Sequence, residues 1–302
     1  KDVSMDELRK KHDAVFLSIG ASVAKPMRVE GETTTNGVVT GVDFLHEKAD
    51  TKDPVKGTIV VVGGGNTAMD CARTSVRLGA DKVIILYRRT KDQMPADDLE
   101  IKDALEEGVE IYELASPIGI VKENDKLKAL KCIRMKLGEP DASGRRRPVT
   151  LEGSEFELPC DIAISAIGQN VDLGGIAEQD EKSTPEVTKW NTFIIEQGTL
   201  KTNIEGVFAG GDAADDGPTV VIDAIRDGQK AAKSIHHYLS GEDRPIGPFI
   251  VTKDFWAPPG QSELGNVSES PRHHLMELDP EERATNFEEV ATGFDYEDMV
   301  HE

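Results

Sequence analysis

The run from Gly57 to Arg89, GTIVVVGGGNTAMDCARTSVRLGADKVIILYRR, constrains this chain more than any other stretch. Thr58–Val62 is unbroken, apolar and rich in β-branched residues, as a parallel strand covered on both faces requires. Gly63, Gly65 and Ala68 then spell G-x-G-x-x-A at the point where a helix should begin. The first glycine permits a tight turn, and the second lets the backbone approach a pyrophosphate. The small Ala68 lets helix pack closely on strand, while the free N–H groups of the helix start face the anion.

The end of the next strand refines the ligand. A fold of this kind that prefers NAD places Asp or Glu there to accept a hydrogen bond from the ribose 2′-hydroxyl. This chain has Tyr87, Arg88 and Arg89. Two guanidinium groups suit a 2′-phosphate, which they can bind bidentately and an acid would repel. The pattern favours NADPH over NADH; the competing reading leaves both arginines as solvated surface charges.

Composition narrows the partners. With 56 acids against 35 bases the formal net charge of the 302 residues is −21, which argues against nucleic acid or an anionic membrane surface. No apolar run has membrane-spanning length, and no signal peptide is evident. Cys71, Cys132 and Cys160 are odd in number and widely spaced, so buried free thiols in a reducing cytoplasm are expected. The chain starts at Lys1 and reads as a fragment.

Along the chain, His12–Ser18 reads as a buried strand closed by Ile19-Gly20, and Gly37–Leu45 as a strand leading into a helix. Asp97–Glu107 has the pattern of an amphipathic helix, with acids in its first turn. Lys126–Met135 alternates like an antiparallel strand, and the basic stretch Asp141–Pro148 is either a solvated turn or a surface contact. Cys160–Ala166 repeats the device of an apolar strand ending in Ile-Gly, here Ile167-Gly168, which suggests two crossings between domains. Phe193–Glu196 is expected to be a strand.

The second informative stretch, Gly206–Gly228, places a short buried strand, a Gly210-Gly211 turn and Asp212 ahead of a helix from Pro218 to about Leu239. Asp212 could accept hydrogen bonds from ribityl hydroxyls, and the N–H groups near Thr219 and Val220 could face a flavin pyrimidine edge. An ordinary turn residue is an equally good reading of Asp212. Residues 242–302 hold 15 acids and four bases, the composition of a partly ordered tail with short helices at Glu281–Val290 and Tyr296–Glu302. The adjacent His273 and His274 lack any spacing suited to a metal, and no metal site is expected.

Three segments in order, VVVGGGNTAMDCARTSVRLGA, LYRRTKDQMPA and GVFAGGDAADDGPTVVIDAIRDGQKAA, resemble the NADPH-dependent flavin oxidoreductases typified by the small (β) subunit of glutamate synthase. The resemblance implies an α/β protein with two Rossmann-like, three-layer dinucleotide-binding domains, an NADPH domain inserted into an FAD domain. Residues 1–51 and 169–241 would form the FAD part, 52–168 the NADPH domain and 242–302 the acidic tail. It further implies NADPH contacts from Gly63, Gly65, Asn66, Thr67, Arg88 and Arg89, a cofactor contact from Gly168, and FAD contacts from Gly211, Asp212, Pro218, Thr219 and Val220. Hydride would pass directly between nicotinamide C4 and flavin N5, with no catalytic side chain required. Electrons would leave to an iron–sulfur protein or domain, or to a large glutamate-synthase-type subunit. The family's first FAD half-domain has no counterpart here, so tight FAD retention and turnover by this stretch alone are not expected. Two other classes remain open: a non-catalytic NADPH-binding or assembly module, and a ferredoxin-linked subunit of a larger redox complex.

Overall fold

Because Thr58–Val62 alternates its side chains between two apolar layers, it can only lie in the middle of a covered sheet. In the computed structural model, which describes residues 3–140, 144–176, 184–214, 220–243 and 275–296, it does. Ile59 and Val61 point into one core with Ala68, Met69, Cys71 and Ala72 of the following helix. Val60 and Val62 point into another, with Leu127, Leu130 and Cys132.

The chain divides into two compact units. One comprises Val23–Gln169 with Leu275–Asp295, the other Lys1–Ser22 with Asn170–His274 and Tyr296–Glu302. In the first, five parallel strands lie in the order Val38–Thr40, Ile162–Ser165, Thr58–Val62, Lys82–Leu86 and Glu110–Tyr112. From Thr58–Val62 the chain moves outward through the helix Asn66–Arg77 to Lys82–Leu86, and through Asp98–Glu106 to Glu110–Tyr112. It then returns to the opposite side of Thr58–Val62 as Ile162–Ser165. The return route is a three-stranded antiparallel meander, Ala115–Glu123, Lys126–Pro140 and Arg146–Pro159. Its apolar side supplies the core's second face, so the three layers are helices, parallel sheet and antiparallel sheet.

Helix starts follow local chemistry. Thr40 caps Gly41–Thr51 by accepting the N–H of Asp43, and Asp97 caps Asp98–Glu106 by accepting that of Leu99. Gly41 allows close approach of two helices, since a Cβ there would stand 3.1 Å from the Cys71 sulfur.

The second unit is smaller in regular structure. Val15–Leu17 pairs in parallel with Val207–Ala209, and the helix Val221–Ser240 ends on Gly241 in the left-handed region at φ 73°. Phe208 meets Tyr238 edge-on at 6.0 Å between centroids.

Several expectations are corrected. Residues 23–51 pack with the central unit, not with the first segment, because Val38–Thr40 pairs with Ile162–Ser165 and Gly41–Thr51 lies against Asn66–Arg77. The two Ile-Gly strands lie in different sheets, Val15–Leu17 in one unit and Ile162–Ser165 in the other, although the chain does pass between the units just after each of them, at Ser22–Val23 and Gln169–Asn170, as expected. Phe193–Glu196 is no strand; Phe193 makes only isolated bridges to Val187 and Ala214. In the C-terminal part, the helix is just Pro280–Arg283, a β-bridge pair joins Met276–Glu277 to Ala291–Gly293, and this stretch packs with the central unit. Tyr296 is described, whereas 297–302, most of the expected last helix, lie outside the described residues. No helix among the described residues is long and apolar enough to cross a membrane.

Candidate functional site

In an open parallel sheet, ligands bind beyond the carboxyl ends of the strands where the strand order reverses direction. Here that point lies between Thr58–Val62 and Ile162–Ser165, and the residues beyond their ends are Gly63 and Ala166. Gly63 has φ +152°, and a Cβ on it would run into the carbonyl oxygen of Ala166. The glycine is therefore demanded by the close approach of two backbones. Gly64, the unassigned middle residue of the motif, is constrained too: its Cβ would stand 2.6 Å from the Tyr87 ring. Tyr87 is itself fixed, donating its hydroxyl to Gln93 O at 2.8 Å.

Gly65 is different. A Cβ there would meet only Pro95, at 3.9 Å, so nothing in the protein requires this glycine. It is the N-cap of Asn66–Arg77 with no side-chain cap hydrogen bond. The helix thus starts at the switch point without a side-chain cap, an arrangement suited to an anionic group. Asn66 Oδ1 accepts the Asp97 N–H at 2.9 Å, which ties the Thr90–Ala96 loop to the turn, and Ala96 N–H donates to Gly64 O at 3.2 Å. Thr67 Oγ1 lies 3.5 Å from Gln169 Nε2. Gly168, at φ 103°, accepts the Lys25 N–H at 2.9 Å and so stands beside the same strand end.

The two arginines separate. Arg88 is exposed at the end of Lys82–Leu86, and among the described residues no carboxylate pairs with it. Partial desolvation first, and then the charges of Arg89 and Arg145, push its pKa down. A cation left among cations is stabilised by an anion from outside the fold. Arg89 is buried and its Nε donates to the carbonyl of Arg146 at 2.8 Å, which fastens the tip of the meander to the strand end. Sequence alone gives the pair one role; burial distinguishes them.

Residues of the second candidate site lie at the end of Val207–Ala209. Gly211 is in the left-handed region at φ 65°, and its N–H donates to Asp227 Oδ2 at 3.1 Å. Asp212 is half-buried in the turn Gly211–Ala213. Val220 is exposed and forms the N-cap of Val221–Ser240, again without a side-chain cap. Pro218 and Thr219 lie outside the described residues.

The thiols are inert by environment. Burial pushes Cys132 and Cys160 up to about 12, and raises Cys71 as well. Among the described residues no group of His, Cys, Asp and Glu could hold a metal.

Residues 1–228 match the family described as pyridine nucleotide-disulphide oxidoreductase. The chain is 40% identical over 304 residues to the beta subunit of the NADP(+)-dependent formate dehydrogenase of Moorella thermoacetica, covering 98% of this chain and 42% of that one. It is 38% identical over 256 residues to the small chain of the NADPH glutamate synthase of Azospirillum brasilense, covering 80% of this chain and 52% of that one. Mycobacterium tuberculosis FprA in complex with NADPH shares the fold, with a TM-score of 0.62 at 20% identity over 81% of this chain and 68% of that one. The chain spans about half the length of the curated relatives it matches. The resemblance to glutamate synthase small subunits, carried by three separated motifs, is borne out by these alignments. The chain belongs to the pyridine nucleotide-disulphide oxidoreductase family.

Proposed function

We propose that this chain is the NADPH-handling part of a flavin oxidoreductase that passes electrons to a partner subunit or iron–sulfur domain. The observation that carries the reading is the pairing of an uncapped helix start over Gly65 with an unpartnered Arg88 on the neighbouring strand end. The combination suits a dinucleotide with an extra phosphate. The N–H groups of the Asn66–Arg77 helix take the pyrophosphate, and Arg88 takes the 2′-phosphate. Arg89 acts by holding the meander in place.

A nicotinamide and a flavin, when bound, would supply hydride-transfer chemistry. The chain's own residues bind, orient and exclude water, and no side-chain acid or base is needed. Gly211, Asp212 and the helix start at Val220 fit a flavin nucleotide, since they combine a left-handed turn, a half-buried acid and uncapped N–H groups. Names of the relatives support a subunit role: one is the beta subunit of a formate dehydrogenase, the other the small chain of a glutamate synthase. Three buried free thiols suit a reducing compartment such as the cytoplasm.

The test is calorimetric titration of the chain and its Arg88→Ala variant with NADPH and NADH. Losing one charge-assisted phosphate contact costs about 1.5–3 kcal/mol, or roughly ten- to a hundredfold in affinity. The expected loss falls on NADPH, with NADH changed by less than about twofold. Equal losses for both would remove Arg88 from a 2′-phosphate site.

A further inference from the structure

Lys25 comes well before the glycine turn in sequence, yet its backbone is held at the same end of the sheet. Its N–H donates to Gly168 O at 2.9 Å, and its own carbonyl accepts the Ser165 hydroxyl at 3.0 Å. Both partners lie where the strand Ile162–Ser165 ends, at the point where the strand order reverses. The segment leaving that strand packs against the nucleotide motif. Ala166 presents its carbonyl to Gly63, and Gln169 Nε2 lies 3.5 Å from Thr67 Oγ1 in the first turn of Asn66–Arg77. Gly168 stands between these two contacts, and the Lys25 side chain lies over it: a Cβ on Gly168 would be 3.7 Å from both Cδ and Nζ of Lys25. At φ 103° this position favours glycine, so no side chain separates the lysine from the backbone beside the motif. Lys25 is half-buried, and among the described residues neither carboxylate nor carbonyl pairs with its ammonium group. That sets it apart from Lys48, Lys82 and Lys122, whose Nζ atoms each lie within 3.0 Å of a carboxylate.

We infer that the ammonium group of Lys25 is a further cofactor contact, a cation for the pyrophosphate of the bound nucleotide, positioned by the two backbone hydrogen bonds to Ser165 and Gly168. This rests on the nucleotide site proposed above and adds to it a charge from a segment outside the glycine motif. The helix start offers the pyrophosphate only about half an elementary charge. A full cation at the same strand ends completes its neutralisation, and a compact charge on a flexible stem suits a phosphate that is bound as a point charge. The two cations then have separate tasks. Arg88 reads the phosphate that only NADPH carries, and Lys25 holds the part common to NADPH and NADH.

The experiment is calorimetric titration with NADPH and NADH of the unmodified chain, Lys25→Met, Lys25→Arg, Lys122→Met and Arg88→Ala. Lys25→Met keeps an apolar stem over Gly168 and is expected to melt within about 2 °C of the unmodified chain. It is expected to weaken both nucleotides about five- to tenfold, leaving the NADPH-to-NADH ratio within about twofold. Lys25→Arg is expected to bind both within about threefold of the unmodified chain. Lys122→Met removes the same charge at the amino end of the sheet, where Asp125 O accepts the Asn36 N–H at 2.8 Å ahead of Val38–Thr40. It is expected to change neither nucleotide by more than about twofold. If Lys25→Met binds both nucleotides like the unmodified chain while Arg88→Ala lowers the ratio, the inference fails and the proposed site stands. A loss confined to NADPH also overturns it, because Lys25 would then serve the 2′-phosphate. So does an equal loss in Lys122→Met, which would assign the effect to the general field, or in Lys25→Arg, which would assign it to side-chain shape. If the unmodified chain binds neither nucleotide, the inference and the proposed site fail together.

Discussion

Replacing Arg283 by Ala is expected to destabilise the central unit by about 3 kcal/mol. The Arg283 side chain is 1% exposed and surrounded by acids: Nη2 lies 2.6 Å from Glu106 and 3.2 Å from Asp103, Nη1 3.0 Å from Glu277, and Nε 3.3 Å from Glu107. Removing one partner from a buried ionic cluster generally costs about 3–5 kcal/mol, because charges are left uncompensated away from water. The lower figure applies here. Glu107 keeps Arg73 at 2.8 Å and Arg77 at 2.9 Å, and Asp103 keeps Arg73 at 3.1 Å. For a unit of this size about 3 kcal/mol corresponds to a fall in melting temperature of roughly 6–12 °C. The pH dependence gives a second readout. Burial already holds the Asp103 carboxyl above its usual range despite Arg73 and Arg283. Without Arg283 that native carboxyl rises further, so the folded variant binds protons more readily than its unfolded chain. The variant's deficit should therefore shrink as pH falls through the carboxylate range. Calorimetric melts at neutral and mildly acidic pH measure both effects. A shift below about 2 °C, or a deficit that grows on acidification, would refute the account of Arg283 as a buried counter-charge.

The glycine turn offers a separation of folding from binding. Gly63→Ala should cost about 2–4 kcal/mol of stability, from an unsuitable φ and a clash with Ala166. Gly65→Ala should cost under about 1 kcal/mol yet weaken NADPH more than about tenfold, because it fills the space over the helix start; comparable melting points for both variants would contradict this. With all three thiols buried and their pKa values raised, the native chain at pH 8 should react only slowly with a colorimetric thiol reagent, and fully in urea. A thiol consumed within seconds would show that one of the sites is open.

What could be read from sequence was local. Thr58–Val62 and the helix after it follow from an apolar run, a glycine turn and a small residue at Ala68, all within about a dozen positions, and the strand bounds come out as expected. The meander strand from Lys126 was legible from its alternation, although it runs on to Pro140. What failed was long-range. Nothing local tells that Val38–Thr40 pairs with a strand more than a hundred residues away, so the sequence groups residues 1–51 together whereas 23–51 pack with the central unit. Phe193–Glu196 carries strand-like residues, but without a continuous partner ladder it stays a bridged loop. The acidic C-terminal stretch reads as solvated by composition, whereas its Arg283 is buried on the central unit.

The arginines show why composition alone misleads about a site. Arg73, Arg77, Arg283 and Arg88 are one residue type in a strongly acidic chain, and each might have been expected to find a carboxylate. Three of them do: Glu107 meets Arg73, Arg77 and Arg283, and Asp103 meets Arg73 and Arg283. These ions hold helices and the C-terminal stretch together, and their charge is consumed inside the fold. Arg88 stands instead beside Arg89 and Arg145, with its protonated form disfavoured by its surroundings. Exposed to water, such a cation needs no carboxylate partner, and its charge stays open to an anion from solution. The sequence doublet Arg88-Arg89 therefore divides at the peptide bond between them: the buried Arg89 joins the residues that build the fold, and the exposed Arg88 is the one that the proposed nucleotide site calls on.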